Sequence, residues 1–192
     1  KMVYASYDEK IKKFIKSMKI ENGLLLFQSV KDGDNIYIYE MAYRLTGEKH
    51  YQIVQQETGD DLLEFMIKLS LNEDLSTWKL NLYDENCLPR PACNLAILLK
   101  KGRIEKITGL DSILNNKCII DYVQTLYEGD EIGNIGNYGQ IFIRLNMIAE
   151  NSDEMMNLLK QIESSVHVYS DKGEDLIISH FVSDEKGRSI YL

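Results

Sequence analysis

The sequence predicts an α+β fold. Three observations carry that prediction: amphipathic helices with cap signatures, one strong β-hairpin between the first two of them, and a later series of short strand-like runs broken by helices. The chain has 192 residues, 44% of them hydrophobic, enough for one sizeable core or two small ones. Only two prolines stand beside twelve glycines, which argues against a disordered or linker-like chain.

In the first helix, Ser6 followed by Glu9 is a capping-box pattern. Ile11, Phe14, Ile15 and Met18 then recur at helical spacing, while Lys10, Lys12, Lys13 and Lys16 take the other face. Asp61 and Glu64 repeat the cap signature before Leu62, Leu63, Phe65, Met66 and Leu69, and Asn151 and Glu154 do so before Met155, Leu158, Leu159 and Ile162. All three apolar stripes read as core faces.

The hairpin is formed by residues 24–30 (LLLFQSV) and 35–41 (NIYIYEM), β-rich runs flanking Lys31-Asp32-Gly33-Asp34. A two-residue turn at Asp32-Gly33 pairs Gln28 with Tyr37 and sends Gln28 and Glu40 to opposite faces. A three-residue loop at Lys31-Asp32-Gly33, a type I turn with a bulge, puts both on one face. Gly in third position is the usual chemistry of that loop, so the shared face is expected.

Residues 72–90 are polar and irregular, and read as a boundary segment. Strand-like runs follow at 93–100, 103–108, 118–126, 140–149 and 175–182, with a short helix near 110–115 and the capped one at 152–164. Lys101-Gly102 reads as a tight hairpin turn between the first two runs. The spacing predicts an antiparallel sheet with helices on one face. The expected division is residues 1–75, a connecting segment at 76–90, and a second α+β domain at 91–192.

Charge and cysteine usage exclude some functions. The formal net charge is -8, so broad binding to a phosphate backbone is not expected. Cys87, Cys93 and Cys118 are an odd count without C-x-x-C spacing, which reads as reduced cytosolic thiols and not as a disulfide framework or a zinc site. No apolar run approaches a membrane span and no leader is evident, so a cytoplasmic protein is expected. Lys1 stands ahead of Met2, which reads as a processed or excised fragment.

The hairpin ends in Glu40-Met41-Ala42-Tyr43-Arg44-Leu45-Thr46-Gly47. Magnesium prefers oxygen ligands, commonly one or two carboxylates with waters and substrate phosphates completing the shell. A strand-end Glu40 can supply the carboxylate and Gln28 a neutral oxygen from the adjacent strand. Arg44 offers a planar fork that matches phosphate oxygens. By residue type alone, a Glu and an Arg at a strand end more often make an ordinary surface pair.

The whole block resembles the ATP-grasp superfamily, and within it carbamoyl-phosphate synthetase large-subunit-like ligases. The likeness rests on Gly23 to Gln28, Asp32-Gly33, Glu40-Met41-x-x-Arg44, Gly47, and Thr58-Gly59 before a capped apolar helix. The resemblance implies the C-terminal lobe of an ATP-grasp fold followed by a small antiparallel α+β domain. It implies Gln28 and Glu40 as metal ligands and Arg44 as the phosphate-contacting, catalytic arginine, with ATP and Mg2+ as the bound species. A carboxylate substrate and a nucleophile, an amine, are the implied partners. Nucleic acid and membrane are not; the oligomeric state is left open, with a homodimer as the candidate.

The family pattern E-M-N-x-R has Asn where this sequence has Ala42, which cannot ligate a cation; a subgroup resembling E-M-G-Y-R over Tyr37 to Gly47 carries a small residue there. Residues 95–109, Tyr127-Glu128-Gly129-Asp130, Gln140 and Arg144 resemble, less specifically, the domain that follows this lobe. The family's other lobe, with its glycine-rich loop and lysines, has no room before Ser6, so this chain alone is expected to turn over nothing. The alternative expectation is a binding or assembly module that keeps the fold without its chemistry.

Other signals carry less. Gly133 to Gly139 is glycine-rich but opens no helix, so it reads as a mobile loop and not a phosphate cradle. His50, His167 and His180 share no ligand spacing.

Overall fold

In a computed structural model, residues 2–33, 35–81 and 88–178 are described, with the backbone alone for 2–6 and Lys31. Cys87, His180 and the end of the last strand-like run lie outside them. The chain divides into two compact units, residues 1–87 and 88–192.

The first unit holds helix α1 (Met2–Ser17), strands β1 (Leu26–Asp32) and β2 (Asn35–Ala42), and helices α2 (His50–Thr58) and α3 (Leu62–Ser70). The expected Ser6 cap is not a helix start. α1 is already helical from Met2, because nothing between Met2 and Ala5 stops a helix and a serine caps only from a non-helical backbone. Nor is the α1 stripe a core face. Phe14 is 46% and Met18 43% exposed; the hydroxyl of Tyr7, accepting from the Ile36 N–H at 2.9 Å, ties the helix to β2.

α2 was not legible as a helix, since HYQIVQQET has no apolar stripe and buries Ile53 alone. It ends at Gly59, whose φ of 79° is the left-handed C-cap conformation that favours glycine. Two residues later Asp61 caps α3, its carboxylate accepting from the Glu64 N–H at 2.8 Å. Between them, buried Asp60 accepts from the backbone N–H of Asn81 at 3.0 Å and from its side-chain amide at 3.2 Å. Phe65 of α3 is buried, with the Trp78 ring at 5.5 Å.

The second unit comprises β3 (Ala92–Leu98), β4 (Gly102–Thr108), α4 (Leu110–Leu114), β5 (Ile119–Gln124), the two-residue β6 (Glu131–Ile132), a 3-10 turn (Tyr138–Gln140), β7 (Ile141–Ile148), α5 (Ser152–Ser165) and β8 (His167–Ser170). It contains two three-stranded antiparallel sheets, ordered β3-β7-β5 and β6-β4-β8. The expected β3–β4 hairpin is therefore overturned: β3 pairs with β7, and β4 with β8. Lys100-Lys101-Gly102 carries the chain from one sheet to the other. Gly102, at φ 156°, lies against the Leu176 side chain, which a Cβ would meet at 2.9 Å.

The core of this unit joins Ile97, Ile104, Phe142, Ile143, Leu145 and Met147 to Leu158, Leu159 and Ile162 of α5. Each such side chain contributes about 1.5–3 kcal/mol on burial. Here the cap and stripe of α5 follow the sequence reading: Asn151 accepts from the Glu154 N–H at 2.9 Å, and Met155, Leu158, Leu159 and Ile162 are all buried. Among the described residues no helix is long and apolar enough to cross a membrane.

Candidate functional site

The candidate site lies at the open end of the β1–β2 hairpin. Asp32 pairs with Asn35, so the turn is two residues long and not the three expected. Gly33, at φ 58°, supplies the left-handed conformation a tight hairpin turn requires. Val30 then pairs with Tyr37 and Ser29 with Ile38, a register that would leave Gln28 opposite Tyr39. Instead the register slips between Gln28 and Ser29, and Gln28 pairs with Glu40. A β-bulge at Tyr39-Glu40 sets two residues against one. The shared face is present, but a bulge in the ladder produces it and the turn does not. Residues paired directly across an antiparallel ladder have Cβ atoms about 4.5–5.5 Å apart, close enough for two side chains to reach one small ion.

Around that pair the groups are accessible. Gln28 is half-buried and Glu40 exposed. The Tyr39 hydroxyl donates to Gln28 Oε1 at 3.0 Å. Sequence reasoning missed this bond; the alternation Tyr37-Ile38-Tyr39 was the only signal, and it does not reveal a bulge.

Past the strand end, Tyr43 fixes the backbone. Its hydroxyl donates to the Asn22 carbonyl at 2.5 Å. The ring lies over Gly23 where a Cβ would overlap it, and Gly23 sits at φ 131°. That close approach is the physical use of Gly23. Arg44 is exposed, and its Nη1 donates to the carbonyl of Leu45 at 3.0 Å, which curls the side chain over its own backbone. The structure thus brings Gln28 and Glu40 together, with Arg44 two residues beyond the end of β2.

His50 is occupied locally: Nδ1 lies 3.3 Å from the Thr46 hydroxyl and Nε2 3.5 Å from the Glu48 carboxylate. Ala42 offers no ligand atom. Among the described residues no group of three or more His, Cys, Asp or Glu side chains is placed to hold a metal ion. What the hairpin end offers is one carboxylate and one amide oxygen. That donor set suits magnesium, which takes oxygen ligands and keeps much of its water.

In the second unit, the Gly133–Gly139 stretch is exposed and opens no phosphate-cradling helix. Asn137 caps the 3-10 turn by accepting from the Gly139 N–H at 2.8 Å. Gly136 N–H donates to the buried Gln140, whose side-chain amide donates in turn to the Leu99 carbonyl at 2.9 Å. A cleft of roughly 470 Å3 lies between α4 and the end of β5, lined by Ile107, Leu110, Asp111, Gln124, Tyr127 and Glu128. The Glu128 carboxylate is engaged there by the Ile107 N–H at 2.9 Å.

No protein-family model and no curated protein matches the sequence. Solved structures do match. L-amino acid ligase from Bacillus licheniformis superposes with a TM-score of 0.72 at 16% identity, over 89% of this chain and 42% of that one. Phosphoribosylglycinamide synthetase from Anaerococcus prevotii gives 0.68 at 17%, over 88% and 42%. The biotin carboxylase domain dimer of 2-oxoglutarate carboxylase from Hydrogenobacter thermophilus, in complex with MgADP, ADP and bicarbonate, gives 0.57 at 15%, over 90% and 36%. The chain spans about two fifths of the length of these structures. At such identities the likeness speaks for the fold, and that fold is the ATP-grasp fold of these ligases.

Proposed function

We propose that this chain is the C-terminal part of an ATP-dependent carboxylate ligase and contributes one wall of its Mg-ATP site. The observation that carries the reading is the pairing of Gln28 with Glu40 across the bulged ladder. The ATP-grasp fold adds support, and so do the bound species of one structure that shares it, MgADP and bicarbonate. Glu40 supplies the anionic ligand for magnesium and Gln28 a neutral one. Arg44 turns from the Leu45 carbonyl to the phosphate oxygens, where its fork stabilises the charge that develops on transfer. Magnesium, when bound, draws charge off the transferring phosphoryl group.

In the complete enzyme the carboxylate substrate takes the γ-phosphoryl group to become an acyl phosphate. An amine then displaces phosphate, as in carbamoyl-phosphate synthase-like ligases. The complementary lobe, with its glycine-rich loop and lysines, supplies the other wall, since phosphoryl transfer needs charge stabilisation from several sides. The proposed setting is the cytoplasm, and the proposed domain limits are 1–75 for the lobe and 91–192 for the domain that follows.

The test is Glu40→Gln in the polypeptide that carries both lobes, assayed for ATP-dependent ligation. The substitution keeps the shape of an exposed side chain and removes its charge. The expected loss in kcat is at least about 100-fold; wild-type turnover sinks the assignment.

A second reading is favoured by Ala42. A small apolar residue at that position leaves the site a ligand short, as in a binding or assembly module that retains the fold and has lost the reaction. Wild-type protein with both lobes that binds Mg-ATP and turns over no carboxylate would support it.

A further inference from the structure

We propose that Tyr39 is a positioning residue for Gln28: its hydroxyl holds the side-chain amide with the oxygen, and not the NH2 group, turned toward the cation. The inference rests on the metal-site reading above. An amide ligand has two chemically opposite ends, one a carbonyl oxygen that binds a cation and one an NH2 that repels it. A half-buried glutamine with no partner presents either end. Here the Tyr39 hydroxyl donates to Oε1 at 3.0 Å, which uses one of the two lone pairs on that oxygen and leaves the other for a metal.

The bulge is what makes the arrangement three-sided. In an unslipped ladder Tyr39 alone would stand opposite Gln28; the extra residue brings Glu40 in beside it. The tyrosine thus polarises and orients one ligand while its neighbour in the chain is the other ligand. Hydrogen bonds to the groups that ligate a metal fix their orientation, and orientation is what a bond donated to the ligating oxygen supplies here. Packing gives no competing account of this residue, because Tyr39 is 64% exposed.

The experiment uses the 192-residue chain labelled with 15N, titrated with Mn2+ and read by paramagnetic broadening. Broadening is selective for groups near the ion and detects weak sites. In the wild type, the Gln28 side-chain amide and the Glu40 backbone amide broaden together, and Glu40→Gln abolishes the effect. Tyr39→Phe removes one oxygen atom from an exposed ring and leaves the rest of the amide spectrum in place. In that variant the Mn2+ concentration for half-broadening rises about three- to tenfold, the worth of one neutral hydrogen bond. The two Gln28 side-chain amide proton shifts also move toward those of a free glutamine side chain as the group is released. An unchanged midpoint in Tyr39→Phe, with normal broadening in the wild type, overturns the positioning role and leaves the metal site standing. No broadening in the wild type at Gln28 or Glu40 overturns both.

Discussion

Gln28 and Glu40 face each other across the β1–β2 ladder because the strand carrying Glu40 has one residue more than its partner between the turn and the pair. Side chains in a strand alternate between faces, so a slip of one residue exchanges the two sets. The bulge therefore decides which residues can share a ligand. Gln28→Ala should weaken Mn2+ binding at the hairpin end by about tenfold or more, and Ser29→Ala should leave it unchanged. The same titration reads both. Equal effects would mean that the register at the bulge differs from the one described.

In the proposed reading Arg44 meets a planar pair of phosphate oxygens, and a lysine does not reproduce that fork. In the protein carrying both lobes, Arg44→Lys should raise the KM for ATP by about tenfold and lower kcat as well. Steady-state kinetics in ATP is the measurement. An Arg44→Lys enzyme equal to wild type in both constants would remove the arginine from the phosphate site.

Gly109 joins β4 to α4 at φ 75°, and a Cβ there would overlap the Ser165 carbonyl at the end of α5. Neither backbone segment can yield as a flexible side chain would. Gly109→Ala should cost about 2–4 kcal/mol of stability, seen as a lower urea midpoint, with no effect on metal binding at the hairpin. Gly129→Ala serves as the comparison: it shares a positive φ, at 95°, but has open space around it. The difference between the two variants isolates the close approach from the backbone strain.

The Glu154 carboxyl is held below its ordinary value of 4.5, chiefly by accepting from the Glu150 N–H at 2.8 Å and next by the Lys117 ammonium at 3.0 Å. A depressed carboxyl stabilises the fold fully above its unfolded value, and that contribution is lost as the pH falls through the folded value. Glu154→Gln should therefore have a lower urea midpoint than wild type at pH 7, with the gap closing on acidification to about pH 3. A gap that widens toward acid would have the wrong sign for this pairing.

Burial raises the thiols of Cys93 and Cys118 above their ordinary value of 9.0, with Glu154 adding to the effect at Cys118. Only thiolates react with disulfide reagents at useful rates. Both residues should be labelled slowly at pH 7.5 in the native protein and rapidly in urea, as residue-resolved mass spectrometry would read.

Sequence patterning reached the elements whose local signals agree with their tertiary contacts. α5 is the clearest case, because the cap at Asn151 and the stripe from Met155 to Ile162 are both used. α2 was invisible, since its one buried residue, Ile53, makes no period. The pairing of Gln28 with Glu40 was reached through the right face and the wrong cause. A turn type can be read from residues near Gly33, whereas a bulge at Tyr39 is set by how two strands of unequal length are held at both ends. The separation of β3 from β4 was out of reach for a similar reason: Lys101-Gly102 looks the same whether the chain folds back on itself or crosses to another sheet.

That crossing bears on how the chain is made. β3 finds its partner in β7, with Ala92 opposite Ile148, and β4 finds its own in β8, with Thr108 opposite His167. Loops of such length close slowly, and sheets built from distant segments fold late. As the chain leaves the ribosome, β3 and β4 emerge before β7 and β8, and the edges that pair with those strands stay uncovered while the intervening segments are made. The hairpin that carries Gln28 and Glu40 has no such wait, since its two strands leave the exit tunnel nearly together. The nascent chain should therefore present a formed hairpin, with Gln28 opposite Glu40, while its second half is still open to chaperones.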